Sequence, residues 1–185
     1  TAILDIGGGS IQLSLFDKEA LVATQNIRLG VLRLYEKMRY IEVKPSQYQS
    51  VLAELIDTQL AVFKKLYLKD REIKNLIVVD DYVSAAITQV YPEINKKGFI
   101  ERKKYLDKMK EMQTKSRAEV AKQLRMGEEN VPLLRISSQL IKSSLECLGA
   151  ENLWVPGVTL CDGIAYDYAE SNKWIKPAHN FEEDI

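Results

Sequence analysis

The chain has 185 residues, with 26 lysines and arginines against 26 aspartates and glutamates, so its formal net charge is zero. That length buries one sizeable core and suits a single domain, and the even balance leaves no global basic field to draw in nucleic acid or a membrane surface. Two cysteines, Cys147 and Cys161, are too few for a disulfide framework or a metal cluster, and no apolar run is long enough to span a bilayer.

In chain order, the first element is the most informative. Ala2-Ile3-Leu4 is an apolar run, Asp5-Ile6-Gly7-Gly8-Gly9-Ser10 follows it, and Ile11 to Phe16 alternates apolar with polar. That is a strand, a tight glycine turn and a second strand. Glycines without Cβ let the N–H groups of Gly7, Gly8, Gly9 and Ser10 converge on an anion. Asp5, at the end of the first strand, is placed to hold a hydrated divalent cation beside it. A plain hairpin is the competing reading, but a two-residue turn does not require three glycines. On the phosphate reading, a side chain added at Gly8 is expected to intrude where the anion lies.

Asp17-Lys18-Glu19 turns the chain into a third strand, Ala20–Ile27, which makes the opening an antiparallel meander. A helix starts near Gly30, with Leu29, Leu32 and Leu34 inward and Arg33, Glu36 and Lys37 outward. Pro45-Ser46 opens a long helix whose Tyr48, Val51, Leu52, Leu55, Ile56, Leu60 and Phe63 fall on one stripe. Leu76-Ile77-Val78-Val79 reads as a strand buried on both faces, and Ser84–Val90 as a helix stopped before Pro92.

Lys, Arg and Glu dominate from Ile100 to Met126, with Tyr105, Leu106, Met109 and Met112 as a thin apolar seam. This segment reads as a helical hairpin, its second helix over Thr114–Met126 and most of its charge on an exposed face. Leu133–Leu148 is an amphipathic helix closed by Gly149, Leu153-Trp154-Val155 the last strand, and Leu160–Glu170 the last helix. Three meandering strands followed by two strand-and-helix units give an α/β class with a mixed sheet of five strands. Residues 1–175 form one lobe with a helical insertion at about 100–126, and 176–185 form a tail.

The Asp5–Leu13 stretch resembles the phosphate hairpin of the exopolyphosphatase and guanosine pentaphosphate phosphohydrolase (Ppx/GppA) family, within the actin, Hsp70 and sugar-kinase superfamily. The resemblance continues at Ile27-Arg28-Leu29-Gly30-Val31-Leu32-Arg33-Leu34, similar to that family's Leu-Gly-x-Val-Arg-Leu segment. It returns at Cys147-Leu148-Gly149-Ala150-Glu151 and at Leu160-Cys161-Asp162-Gly163. It implies a ribonuclease-H-like, actin-like lobe with helices on both faces of its sheet, and it implies the second, C-terminal lobe alone. The partner implied is the N-terminal lobe of the same protein, which carries the rest of the cleft; Thr1, at the start of a strand, suits a piece of a longer chain. The implied chemistry is release of terminal phosphate from polyphosphate or a phosphorylated nucleotide such as pppGpp. Mg²⁺ would be held through Asp5 and waters, phosphate oxygens by Gly7, Gly8, Gly9 and Ser10, and the setting would be cytoplasmic. Homodimerisation is left open.

The departures from the family pattern bear on turnover. Gln12 stands where the family has Glu, and an amide is no carboxylate base. Asp80-Asp81-Tyr82-Val83-Ser84 replaces a Gly- and Thr-rich turn, Asn130-Val131-Pro132 an Arg-Ala-Asp motif, and Gly157-Val158-Thr159 an Asp-Arg-Gly turn. Asp80 and Asp81 read as a solvated loop, with a cation pair as the alternative, and would repel a phosphate. His179, the one histidine, has no ligating neighbour in sequence, and Cys161 reads as a small buried hydrophobe. Two readings follow: a hydrolase lobe that needs its other lobe, or a catalytically degenerate phosphate- or nucleotide-binding regulatory module.

Overall fold

The computed structural model describes residues 1–18, 20–41, 44–69, 71–80, 82–91 and 94–176. β1 (Ala2–Ile6), β2 (Ile11–Asp17) and β3 (Ala20–Ile27) form the antiparallel meander the sequence implies. α1 (Val31–Tyr40) and α2 (Tyr48–Phe63) follow, with a 3₁₀ turn at Pro45–Gln47 leading into α2 and a π-helical turn at Lys64–Leu68 ending it. Then come β4 (Asn75–Asp80), α3 (Val83–Val90), α4 (Ile94–Lys97) and β5 (Phe99–Glu101). α5 (Arg102–Thr114), α6 (Arg117–Leu124), α7 (Val131–Leu148), β6 (Asn152–Trp154) and α8 (Leu160–Ser171) complete the chain.

The six strands lie in the order β3-β2-β1-β4-β6-β5, with β1, β4 and β6 parallel and the outer strands antiparallel. The sequence pattern accounts for five of them. The sixth, β5, is three residues on the edge, with Ile100 opposite Leu153. One buried side chain beside a charged helix is too short a run to show a period of two.

The core lies on one face of the sheet. Leu4, Leu76 and Val78 are buried there beneath α7, whose Ile136, Leu140, Ile141 and Leu145 are fully buried in turn, and Leu13 and Leu15 of β2 are buried beside Leu4 and Ala2. Each such side chain contributes about 1.5–3 kcal/mol on burial. α7 also packs against α1 and α2, and the α2 stripe delivers Leu52, Ile56, Leu60 and Phe63 to the same core. On the opposite face Ile77 and Val79 of β4 are only half-buried, so β4 alternates instead of being covered on both sides. α8 buries no residue; its Leu160, Ile164 and Tyr168 are 76%, 60% and 58% exposed.

The charged segment is tied to this core through tyrosines. The Tyr105 hydroxyl donates to the Ser138 carbonyl of α7 at 3.1 Å, and Tyr91 donates to the Tyr105 carbonyl at 3.2 Å. Its second helix is shorter than the sequence pattern implies, because Ser116 and Glu119 form a reciprocal capping box and Arg125 turns left-handed at φ 51°. Residues 177–185 of the expected tail, His179 among them, lie outside the described residues.

Candidate functional site

β1 and β4 run parallel and adjacent, with Ile6 opposite Asp80. The chain leaves β1 toward β2 on one side and passes from β4 to β6 on the other, so this is where strand order reverses, the usual place for a ligand in an open α/β sheet. The glycine turn sits at this carboxyl edge. Its Gly7 N–H donates to the Ser10 carbonyl at 3.0 Å, which closes the hairpin and engages one of the four turn donors.

α1 holds the turn from behind. Val31 N–H donates to the Gly7 carbonyl at 3.0 Å, and the Leu32 and Arg33 N–H groups share the Gly8 carbonyl at 3.0 and 3.1 Å. The Arg33 side chain reaches back to donate its Nε–H to the Gly9 carbonyl at 2.9 Å. The first turn of a helix has N–H groups without intrahelical partners; here the hairpin carbonyls cap them. This approach needs Gly30, because a Cβ there would come closer than 3.0 Å to Gly8 O, Gly8 C and Gly9 C, all backbone atoms.

A trans peptide directs its C=O and N–H in opposite directions, and no cis bond occurs among the described residues. The Gly7, Gly8 and Gly9 carbonyls point to α1 or its arginine, so the N–H groups of Gly8, Gly9 and Ser10 point away from it. None of the three has a hydrogen-bond partner among the described residues. Asn26 on β3 donates its Nδ2–H to Ser10 Oγ at 3.2 Å, leaving the hydroxyl proton free to be donated outward.

Asp5 and Gln12 are both exposed and are direct cross-strand neighbours, with Asn26 next to Gln12. The three polar side chains therefore line one row of the open sheet face, a few ångströms apart. A groove of about 880 Å³ between α1 and α2 opens nearby, walled by Arg28, Arg33 and Lys37 but also by Glu36 and Glu54. Among the described residues no group of three or more His, Cys, Asp or Glu side chains could enclose a metal ion. Mg²⁺ is commonly held by one carboxylate, waters and the phosphates of its ligand, however, and Asp5 suits that lighter demand.

Several expectations are corrected here. A Cβ on Gly8 meets Leu32 Cδ1 at 3.1 Å, on the α1 side, and none of the three turn glycines adopts a left-handed φ; Gly9 is the position that faces open space. Asp80 is no solvated loop residue but 4% exposed. Its Oδ1 accepts from the N–H groups of Tyr82 (2.7 Å) and Val83, and its Oδ2 from the Ser137 hydroxyl at 3.0 Å. It caps α3 and ties it to α7, turning its charge inward; Asp81 lies outside the described residues. Cys161 is exposed, because α8 stands off the core, while Cys147 is the half-buried thiol.

The sequence pattern passes over Arg33 and Asn26. Arg33 falls on the outward face of α1, and only the fold shows that outward there means toward the turn. Gly30 opens α1 in sequence, but its contact with Gly8 is a tertiary fact.

No protein-family model matches the chain, and no curated protein does. Solved structures do. The chain superposes on the Aquifex aeolicus member of the Ppx/GppA family with a TM-score of 0.72 at 14% identity, over 97% of this chain and 57% of that one. It superposes on an exopolyphosphatase from Cytophaga hutchinsonii with a TM-score of 0.74 at 17% identity, over 92% of this chain and 57% of the other. An exopolyphosphatase-like protein gives 0.72 at 12% identity over 92% and 60%. The chain thus spans somewhat more than half the length of the structures it matches, and it shares with these Ppx/GppA structures the fold of a mixed α/β lobe.

Proposed function

We propose that this chain is the C-terminal lobe of an exopolyphosphatase- or pppGpp-phosphohydrolase-like protein and that its glycine turn binds the phosphates of a polyphosphate or phosphorylated nucleotide. The observation that carries this reading is the three unpartnered N–H groups of Gly8, Gly9 and Ser10, turned to one side at the carboxyl edge of β1. They form a backbone concavity for an anion, and the Ser10 hydroxyl adds a donor. Asp5 would hold Mg²⁺ through its waters; the ion would neutralise charge on the phosphate oxygens. Phosphoryl release depends mostly on positioning and charge neutralisation, and the rest of that machinery belongs to the N-terminal lobe. The exposed apolar side of α8 offers that lobe a contact surface.

One observation favours a second reading, phosphate binding without turnover. The neighbour of Asp5 is Gln12, so the exposed row offers a single carboxylate. An amide can orient a water but cannot take its proton.

The test is calorimetric titration of the chain with inorganic tripolyphosphate. The wild type binds, and Gly9→Val, which puts a side chain into the open space beside the turn, weakens binding at least tenfold, about 1.4 kcal/mol. Equal affinity of the two proteins would make the turn a hairpin and nothing more. The chain alone should release no phosphate from polyphosphate or pppGpp with Mg²⁺; measurable enzyme-dependent release would refute the two-lobe reading. In the two-lobed protein, Gln12→Glu separates hydrolase from binder. A rise of about tenfold in phosphate release marks a weakened hydrolase, and a rate still at background marks the binding module.

A further inference from the structure

The turn contains three consecutive glycines, and a peptide unit between such residues can rotate with little steric resistance. An anion site made of N–H groups works only if those units stay oriented. The Gly7–Gly8 and Gly8–Gly9 peptides are held by main-chain donors, through Val31 N–H on the Gly7 carbonyl and Leu32 and Arg33 N–H on the Gly8 carbonyl. The Gly9–Ser10 peptide has no main-chain donor on its carbonyl among the described residues. Gly30 of α1 backs the Gly9 carbonyl carbon on one side, and a Cβ at Gly9 would meet nothing within 4 Å, so packing bounds this unit from the α1 side only. Its carbonyl is held by one side-chain contact, Arg33 Nε–H at 2.9 Å.

We infer that Arg33 is the positioning residue of the turn: its Nε–H fixes the Gly9–Ser10 peptide so that the Ser10 N–H stays aimed at the anion. The inference rests on the phosphate reading of the turn. The guanidinium sits on the carbonyl side of the peptide and the Ser10 N–H on the other, so Arg33 acts through the peptide unit. A hydrogen bond from a cation to the carbonyl also polarises the unit and makes its N–H a stronger donor. The exposed place of Arg33 on α1 keeps this function separate from the core.

Two variants separate hydrogen bond from charge. Arg33→Ala removes both and keeps a good helix former; Arg33→Gln restores a donor long enough to approach the Gly9 carbonyl, without the charge. The first measurement is the ¹H–¹⁵N spectrum of the protein with no anion present. In Arg33→Ala the Ser10 amide should shift to lower proton frequency and broaden, while amides of β4 and α7 stay in place; Arg33→Gln should recover part of the change. The second is tripolyphosphate affinity at fixed ionic strength, expected to fall about fivefold in Arg33→Ala, the weight of one hydrogen bond, and to recover in part in Arg33→Gln. An unmoved Ser10 amide in Arg33→Ala overturns the inference. If affinity nevertheless falls, Arg33 touches the anion directly and the positioning role is equally overturned. Absence of tripolyphosphate binding in the wild type overturns the phosphate reading instead, and the anion-free spectrum still decides whether Arg33 orients the peptide.

Discussion

Gly30→Ala is the sharpest test of how the turn is built. The methyl group cannot be accommodated by a side chain swinging aside, since the atoms within 3.0 Å of it are Gly8 O, Gly8 C and Gly9 C, all backbone. Either the turn or the first turn of α1 must retreat, and the three main-chain bonds from Val31, Leu32 and Arg33 go with it. At about 1 kcal/mol each, their loss costs about 3 kcal/mol, offset by the few tenths to 1 kcal/mol that Gly→Ala gains through the unfolded chain. A net loss of about 2 kcal/mol should appear as a lower urea midpoint with an unchanged slope. The matched control is Gly9→Ala, where the new methyl meets nothing within 4 Å; its midpoint should stay within about 0.5 kcal/mol of wild type. Equal midpoints for Gly30→Ala and wild type, or equal losses in the two variants, would refute the close approach of α1 to the turn.

Asp80→Ala removes the acceptor for Tyr82 N–H, Val83 N–H and Ser137 Oγ, and should cost about 2–4 kcal/mol in urea unfolding; a solvated residue would cost nothing measurable. With a thiol reagent on the native protein, exposed Cys161 should react at once. Cys147 should lag about tenfold or more, since burial raises its thiol pKa. The Glu111 carboxylate accepts from Lys108 and Lys115 at 2.6 and 2.8 Å, which lowers its pKa from 4.5 to about 2. Its interaction is complete above pH 4.5 and is lost as pH falls toward 2. A carbon-detected titration should show that midpoint, and Lys115→Ala should move it up.

What was legible in the sequence was whatever repeats locally. The α2 stripe, the meander and the glycine turn each follow from neighbours within a few residues, and all are present. The misread positions depend on partners far away. Asp80 beside Asp81 looks like a charged loop until Ser137, 57 residues on, is seen to bond its carboxylate. Arg33 looks like surface because helical periodicity cannot tell solvent from a turn 24 residues earlier. Cys161 reads as a small buried hydrophobe at the start of a helix, and that helix does begin at Leu160, but α8 buries none of its residues, so the thiol is exposed. β5 was missed because three residues carry no periodicity.

On the phosphate reading, the shared peptide units of the turn would make α1 and a bound anion two ligands of one element, seated on opposite sides. By linkage, any free energy with which α1 strengthens anion binding must be returned as added stability of the α1 contact when the anion is bound. The Leu32 and Arg33 amides, which donate to Gly8 from the far side, thus report occupancy without touching the ligand. A tenfold tightening of the anion by α1 implies a tenfold smaller opening equilibrium constant for those two amides in the bound protein, readable by hydrogen exchange.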